Sequence, residues 1–202
     1  MEICSENNIV ELIGTLAGRP LYSHSSRGLD FDTFPLEIRR LSGTPDRIPL
    51  LVRRDLLGQL ELKTASRLQV LGQLRSFNNR SGRGARLVLS VYVRQLCFSE
   101  EEDRNRVLLC GTLCKPPKFR RTPLGREICD LMLAVNRAYA RSDYLPCICW
   151  GRQARQAEQW QVGDRIRLEG RLQSRSYVKL TEEGPVEKTA YEVSVGQLRQ
   201  ED

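Results

Sequence analysis

The sequence predicts an all-β chain of two tandem five-stranded Greek-key barrels, and three observations carry that prediction. The 202-residue chain repeats itself at an offset of 97 residues. Each copy alternates apolar and polar residues with the period of a strand, and the helix-like stretch of each copy falls between its third and fourth strands.

The repeat is read from landmarks that recur in order. Val10-Glu-Leu-Ile-Gly-Thr-Leu16 aligns with Val107-Leu-Leu-Cys-Gly-Thr-Leu113, Pro20 with Pro117, Gly28 with Gly125 and Arg40 with Arg137. Asp46-Arg-Ile-Pro-Leu-Leu51 aligns with Asp143-Tyr-Leu-Pro-Cys-Ile148, and one residue of drift later Gly72-Gln-Leu-Arg-Ser76 aligns with Gly170-Arg-Leu-Gln-Ser174. The repeating unit is about 95 residues, an ordinary size for a small domain. The expected organisation is a first domain at 1–99, an acidic linker at 100–105 and a second domain at 106–199.

Within the copies, Ile9 to Leu16 and Val107 to Leu113 are β-rich first strands that end at turn residues. Phe31 to Arg40 and Ile128 to Arg137 alternate as second strands; Ile48 to Val52 and Leu145 to Trp150 are third strands. Helices are expected over Arg53 to Leu62 and Arg152 to Trp160. After the turn Gly163-Asp164, Arg165 to Leu172 reads as a fourth strand, and a polar loop then leads to a fifth at Tyr191 to Val195, matched by Arg86 to Val93. Three strands, a helix and two strands are the element order of an OB-fold.

Composition and charge narrow the functional classes. With 40% hydrophobic and 28% charged residues, the chain has the make-up of a folded soluble domain, and no apolar run reaches the ~18–20 residues of a membrane span. The start Met1-Glu-Ile-Cys-Ser-Glu6 lacks the basic and apolar regions of a signal peptide, so the expected address is cytoplasmic and nucleoid-associated, with no membrane partner. The net charge of +7 is unevenly spread: residues 1–99 hold 14 basic and 9 acidic side chains, 100–103 are Glu-Glu-Glu-Asp, and 104–202 hold 18 basic and 12 acidic. Two basic halves joined by an acidic segment predict attraction to a polyanion, nucleic acid in preference to a membrane surface.

Catalysis has little to work with, and no catalytic residue is assigned. The one histidine, His24, sits in a polar stretch and reads as a solvated loop residue. The seven cysteines, at 4, 97, 110, 114, 129, 147 and 149, lack paired metal-ligand spacing; Cys147 and Cys149, two apart on a strand, read as core residues. No metal and no cofactor are implied. Gly82-Arg-Gly-Ala-Arg86 precedes a strand-like run and reads as a hairpin loop rather than a phosphate cradle.

Binding has far more. In the second copy Tyr139, Tyr144, Trp150 and Tyr177 fall at strand ends, and Arg120, Arg121, Arg137, Arg152, Arg175 and Lys179 lie among them. Tyr144 and Trp150 are six apart, hence on one face of a strand. Exposed single-stranded bases stack on such rings while cations follow the phosphates, which suits ssDNA, with ssRNA as a competing ligand. Trp160, on the expected helix, reads as core.

On these residues the second copy also resembles a family, the bacterial single-stranded DNA-binding proteins (SSB). The resemblance covers 107 to 195 and rests on Gly111-Thr-Leu, Lys115-Pro-Pro, Arg121-Thr-Pro-Leu-Gly125, Leu133-Ala-Val-Asn-Arg137, Ser142-Asp-Tyr-Leu-Pro-Cys-Ile-Cys-Trp-Gly151, Val162-Gly-Asp, Leu168-Glu-Gly-Arg-Leu-Gln-Ser-Arg-Ser-Tyr177 and Tyr191-Glu-Val. It implies a non-enzymatic OB-fold that binds ssDNA without strong sequence preference in replication, recombination or repair. Bases would stack on Tyr139, Tyr144, Trp150 and Tyr177, and Arg120, Arg152 and Arg175 are the basic positions that carry over. Because SSB relatives assemble four OB-folds, a duplicated chain is expected to form a homodimer.

Two departures qualify the resemblance. At the positions of Tyr144, Trp150 and Tyr177 the first copy has Arg47, Arg53 and Asn79, and near that of Tyr139 only Leu41 to Gly43. It is therefore expected to be poor in stacking and to guide the backbone or mainly build an interface, with Arg39, Arg40, Arg47, Arg53, Arg54, Arg75, Arg80, Arg83 and Arg86 available for phosphates; Phe77 reads either as a lone stacker or as an exposed loop aromatic. The sequence ends Gln197-Leu-Arg-Gln-Glu-Asp202, without the acidic-aromatic tip through which family members recruit replication proteins. The alternatives are a primosomal replication accessory resembling primosomal replication protein N, which works through a helicase and other proteins, and a protein-interaction OB module.

Overall fold

The computed structural model describes residues 7–58, 60–79, 87–181 and 184–201, the side chains of 179 and 181 excepted. The chain forms two compact units, one of Ile9–Arg75 and Ser90–Arg106, the other of Val107–Asp202 with the described residues of 1–8 and 76–89. The acidic segment belongs with the first of these: Asp103 accepts from the Arg39 backbone N–H at 2.7 Å and from Arg67 at 2.9 Å.

The first barrel is built from β1 (Asn8–Leu16), β2 (Leu21–Ser26), β3 (Leu29–Arg39), β4 (Pro45–Arg53), α1 (Arg54–Leu57), β5 (Arg67–Asn78) and β6 (Leu87–Phe98). Its ladder runs β3-β4-β6-β5-β1 and closes by pairing β1 back onto β3. The second barrel repeats it with β7 (Arg104–Leu113), β8 (Lys118–Arg121), β9 (Glu127–Arg137), β10 (Arg141–Trp150), α2 (Arg152–Ala157), β11 (Arg165–Thr181) and β12 (Gly184–Glu201). There the ladder is β9-β10-β12-β11-β7, closed by β7 on β9. With the third and fifth barrel strands parallel in both (β4–β6 and β10–β12), each is an OB-fold.

The ladders match residue by residue. Glu37↔Arg47 in β3–β4 becomes Ala134↔Tyr144 in β9–β10, and Phe31↔Arg53 becomes Ile128↔Trp150. Val10↔Gly72 becomes Val107↔Gly170, and Leu50↔Val91 becomes Cys147↔Val193. The sequence offset of 97 is thus the structural offset through the first three barrel strands.

Closing so small a barrel forces backbones together at two places, and both require glycine. A Cβ on Gly111 would stand 2.8 Å from the Ala134 carbonyl oxygen, and one on Gly170 would overlap the Ser194 carbonyl oxygen. Their counterparts Gly14 and Gly72 face the Glu37 and Tyr92 carbonyls in the same way. The register shift at Glu169/Gly170 lies at this crossing, where a bulge sharpens the strand bend.

Three expectations need correction. Each barrel has an additional strand, β2 or β8, paired in a hairpin with the next; β2 is wholly exposed, so no core face marks it in the sequence. The helices are shorter than expected, four and six residues. In α1 only Leu57 is buried and Gly58 follows, so little apolar surface sustains a longer helix. The segment read as a polar loop after Leu172 is instead paired throughout, from Gly170↔Val195 to Thr181↔Gly184, as a two-stranded ribbon. A ribbon without a core face lacks the alternation that marks a half-buried strand.

Burial follows the expected pattern elsewhere. Ala154 and Ala157 of α2 are fully buried, three apart on one face, and Trp160 just after it is 8% exposed, a core residue as expected. Cys129, Cys147 and Cys149 lie in the second core; burial pushes the Cys149 thiol up to about 12 and that of Cys129 to about 11.

At the end of β12, Glu201 accepts from the Cys110 thiol at 2.9 Å and from Arg167 at 2.5 Å, and these bonds lower its carboxyl to about 2 from 4.5. Its stabilisation is therefore complete above pH ~4.5 and is lost as pH falls toward about 2. Urea midpoints across that window should drop less in Glu201→Gln than in the parent. Gly170→Ala should cost about 1–3 kcal/mol by overpacking. Gly58→Ala, where the nearest atom lies 3.7 Å from the added Cβ, should stay within about 0.5 kcal/mol in the same urea titration.

Candidate nucleic-acid interface

The outer face of the β9–β10 hairpin presents two of the four rings. Along β10 the residues Leu145, Cys147 and Cys149 turn into the core, which sends Tyr144, Pro146 and Trp150 outward. Tyr144 is 47% exposed opposite Ala134, whose small side chain leaves the ring uncovered. Trp150, half-buried, ends the strand opposite Ile128. Six residues of strand separate the two rings by roughly 20 Å, room for several stacked nucleotides.

Tyr139 and Tyr177 stand on flanking elements. Tyr139 sits in the β9–β10 turn with φ of 64°, next to Ala140 at 52°, and is 81% exposed. A bulky residue in the left-handed region costs of the order of 1 kcal/mol, and such strain is characteristic of functional positions. The corresponding turn in the first barrel uses Gly43 at 83°, which carries no such penalty. Tyr177 lies on the β11 ribbon opposite Lys188, with the Arg175 guanidinium 5.9 Å from its ring centre. That contact holds a flat ring and a cation side by side.

The arginines are exposed but held by carboxylates one strand away. Arg120 pairs with Asp130 at 2.9 Å, which keeps the guanidinium firmly protonated; Arg121 pairs with Glu127 at 3.3 Å and Arg175 with Glu192 at 3.9 Å. These carboxylates escape a reading of the sequence because only the register, Arg120↔Ile128 and Arg175↔Ala190, brings them near. Exposed pairs of this kind are weak, so an incoming phosphate can replace the carboxylate at small cost. Arg152 is exposed on α2 and makes no ion pair among the described residues. The side chain of Lys179 lies outside the described residues, as do Arg80, Arg83 and Arg86.

Arg137 is placed differently from Arg120, Arg121, Arg152 and Arg175. It faces Asp143 at 3.7 Å, and that carboxylate is fully buried; the Arg137 Nε is itself buried without a hydrogen-bond acceptor. In the same compact unit Asp143 also accepts from the Ser76 backbone N–H at 2.9 Å. The first barrel holds the equivalent pair, Arg40 and Asp46, in bidentate form at 2.7 and 2.6 Å. In both barrels this pair spans the second hairpin at its turn. The fork of Arg40 closes on its carboxylate, and the Asp143 carboxylate also holds the Ser76 amide.

On the first barrel, Arg47 is exposed and paired with Glu37 at 3.2 Å, and Arg53 is paired with Asp55. They occupy the ladder positions of Tyr144 and Trp150. Phe77 is 56% exposed. Among the described residues there is no cluster of metal ligands, and no helix is long and apolar enough to cross a membrane.

Asp143→Ala should destabilise the protein by about 3 kcal/mol, because it strands a partly buried guanidinium and an amide. Thermal unfolding of this variant beside Arg47→Ala, whose pair is exposed, checks the contrast.

Comparison with known proteins converges on one family. The profile described as "Single-strand binding protein family" matches residues 104–200. The single-stranded DNA-binding protein of Bacillus cereus is 39% identical over 80 residues, 36% of this chain and 47% of its own length. The single-stranded DNA-binding protein A of Bacillus subtilis is 38% identical over the same extent, 46% of its length. The chain thus spans about half the length of the curated relatives it matches. Among solved structures, the wild-type single-stranded DNA binding protein from Thermus aquaticus superposes with a TM-score of 0.77 at 25% identity, over 96% of this chain and 93% of that one, hence over both barrels. The barrels, the outward rings and the matched segment agree in one likeness: residues 104–200, the second barrel, are similar to the single-strand binding protein family.

Proposed function

We propose that this protein binds single-stranded DNA without strong sequence preference, as a non-enzymatic component of replication, recombination or repair. The observation that carries the reading is the outer face of β10, where Tyr144 and Trp150 project from one side of a strand in the segment that matches the family. Bases stack on these rings and on Tyr139 and Tyr177, while Arg120, Arg121, Arg152, Arg175 and Lys179 exchange their present partners or solvent for phosphates. Arg137 serves the same surface by fixing the hairpin that carries Tyr139. Arg47 and Arg53 extend the positive track onto the first barrel.

The two OB repeats, at 1–99 and 106–199, with 100–105 between them, assemble as a homodimer that brings together four barrels. Single-stranded RNA is a competing ligand, and the bound strand places the protein on the nucleoid.

Titration of tryptophan fluorescence with oligo(dT), and with duplex DNA as the control, tests the reading. Strong quenching by the single strand alone is expected, from Trp150 and not from the buried Trp160. Trp150→Ala should weaken binding by about 1–3 kcal/mol, roughly 5- to 150-fold in Kd, with thermal unfolding unchanged. If about six phosphates are neutralised, log K should fall against log salt with a slope near −4. Equal affinity for duplex and single strand would instead point to charge alone.

A further inference from the structure

The β9–β10 hairpin is fastened by residues that precede the second repeat in the chain. Ser76, near the end of β5, lies in the compact unit of the second barrel and makes two bonds to the start of β10. Its backbone N–H donates to the Asp143 carboxylate at 2.9 Å, and its hydroxyl accepts from the Tyr144 backbone N–H at 2.7 Å. A backbone donor on each segment is thus met by a side chain of the other, and the two bonds close a ring. Asn7 grips the opposite strand: its side-chain amide donates to the Asn136 carbonyl at 2.6 Å, while its own carbonyl accepts from the Cys110 N–H at 2.8 Å.

The Ser76 ring acts where β10 has least other support. β12 pairs with β10 at Cys147 and Ile148, past Tyr144 in the chain, so at Tyr144 the Ser76 hydroxyl takes the bond that a neighbouring strand would otherwise take. Its anchor, Asp143, is fully buried and faces Arg137 at 3.7 Å, which leaves the carboxylate no room to swing. The Tyr144 ring is exposed and stands opposite Ala134, whose methyl group offers it little packing. The direction of the backbone at 144 therefore sets where the ring points. At the far end of the strand Trp150 is half-buried opposite Ile128, and the Gly151 N–H that follows donates to the Glu127 carbonyl at 2.9 Å. That end is held by its own hairpin.

We propose that Ser76 is a positioning residue for the single-strand site: by bonding the Tyr144 amide and the Asp143 carboxylate, it sets the direction in which the Tyr144 ring meets a base. The inference rests on the proposed function and names what aims one of its rings. A ring whose backbone is already fixed loses less freedom when a base stacks on it, so the bond made in the free protein appears as affinity. The diverged first repeat thereby has a task that needs no stacking rings of its own, since the residue that holds the hairpin belongs to its β5.

Ser76→Ala and Ser76→Thr in the full chain test it, each photo-cross-linked to poly(dT) carrying 5-iodo-deoxyuridine, with the linked residues mapped by mass spectrometry. In Ser76→Ala, links at Tyr144 should fall relative to those at Trp150, and Kd for oligo(dT) should rise about fivefold with the salt slope unchanged. Ser76→Thr, which keeps the hydroxyl, should restore both. In the parent chain the Tyr144 amide should exchange slowly with deuterium, a measurement that needs no variant. A lower unfolding temperature with the link ratio and Kd unchanged would make Ser76 structural only and overturn the inference. Equal loss of links at both rings, or fast exchange of the Tyr144 amide, would overturn it as well. Each of these outcomes leaves the proposed function standing as long as the parent binds the single strand; absence of binding by the parent would overturn both.

Discussion

Closure of a small barrel depends on two points where one backbone lies against another without a side chain between them. Gly111 beneath the Ala134 carbonyl and Gly170 beneath the Ser194 carbonyl make that approach in the second barrel, and Gly14 and Gly72 make it in the first. With these contacts in place β7 pairs with both β9 and β11, and the hairpin between them is held with one defined face outward. A slip of one residue would turn every side chain of β10 over and send Tyr144 and Trp150 into the core. The outward face that carries these rings is thus a consequence of the closure, and the four glycines leave no room for a side chain at the crossings.

On that common ladder the two barrels diverge where the ladder is indifferent to side-chain identity. Inward positions keep their character: Leu50 and Cys147, Val91 and Val193, Ile38 and Val135 all fill cores. Outward positions are free to change, and Arg47 and Arg53 stand where Tyr144 and Trp150 stand in the other copy. The Arg–Asp pair at the second hairpin belongs to the conserved part of the plan: Arg40–Asp46 and Arg137–Asp143 occupy equivalent places and bury their carboxylates. One of the arginines that composition would count as a phosphate ligand is in this way committed to structure.

That commitment bears on the reading of charge. The excess of +7 says a polyanion is attracted, but much of the basic surface of the second barrel is engaged locally by Asp130, Glu127 and Glu192. Such exposed pairs contribute little to stability and are screened by salt, so they act as placeholders that keep each guanidinium extended over the outer face. A polyanion that brings several phosphates could replace several placeholders at once, so the proposed binding would be steeply dependent on ionic strength.

The sequence alone determined the duplication, the OB element order, the core and the four outward rings of the second copy. These are properties of spacing and alternation: a period of two reports which face a residue takes, and an offset of 97 reports that two segments share a ladder. Tertiary structure decided what spacing does not encode. The β11–β12 ribbon was read as a loop because a strand pair beyond the barrel has no buried face, and β2 escaped notice for the same reason. Arg137 and Arg120 look alike in the chain, yet one meets a fully buried carboxylate and the other an exposed one, because partners a strand apart are set by register. His24 read as a solvated loop residue until β2 folded onto β3 and laid the imidazole on Phe31, a contact between residues whose pairing depends on a bulge at Tyr22/His24. Periodicity assigns faces, and only the folded sheet assigns neighbours.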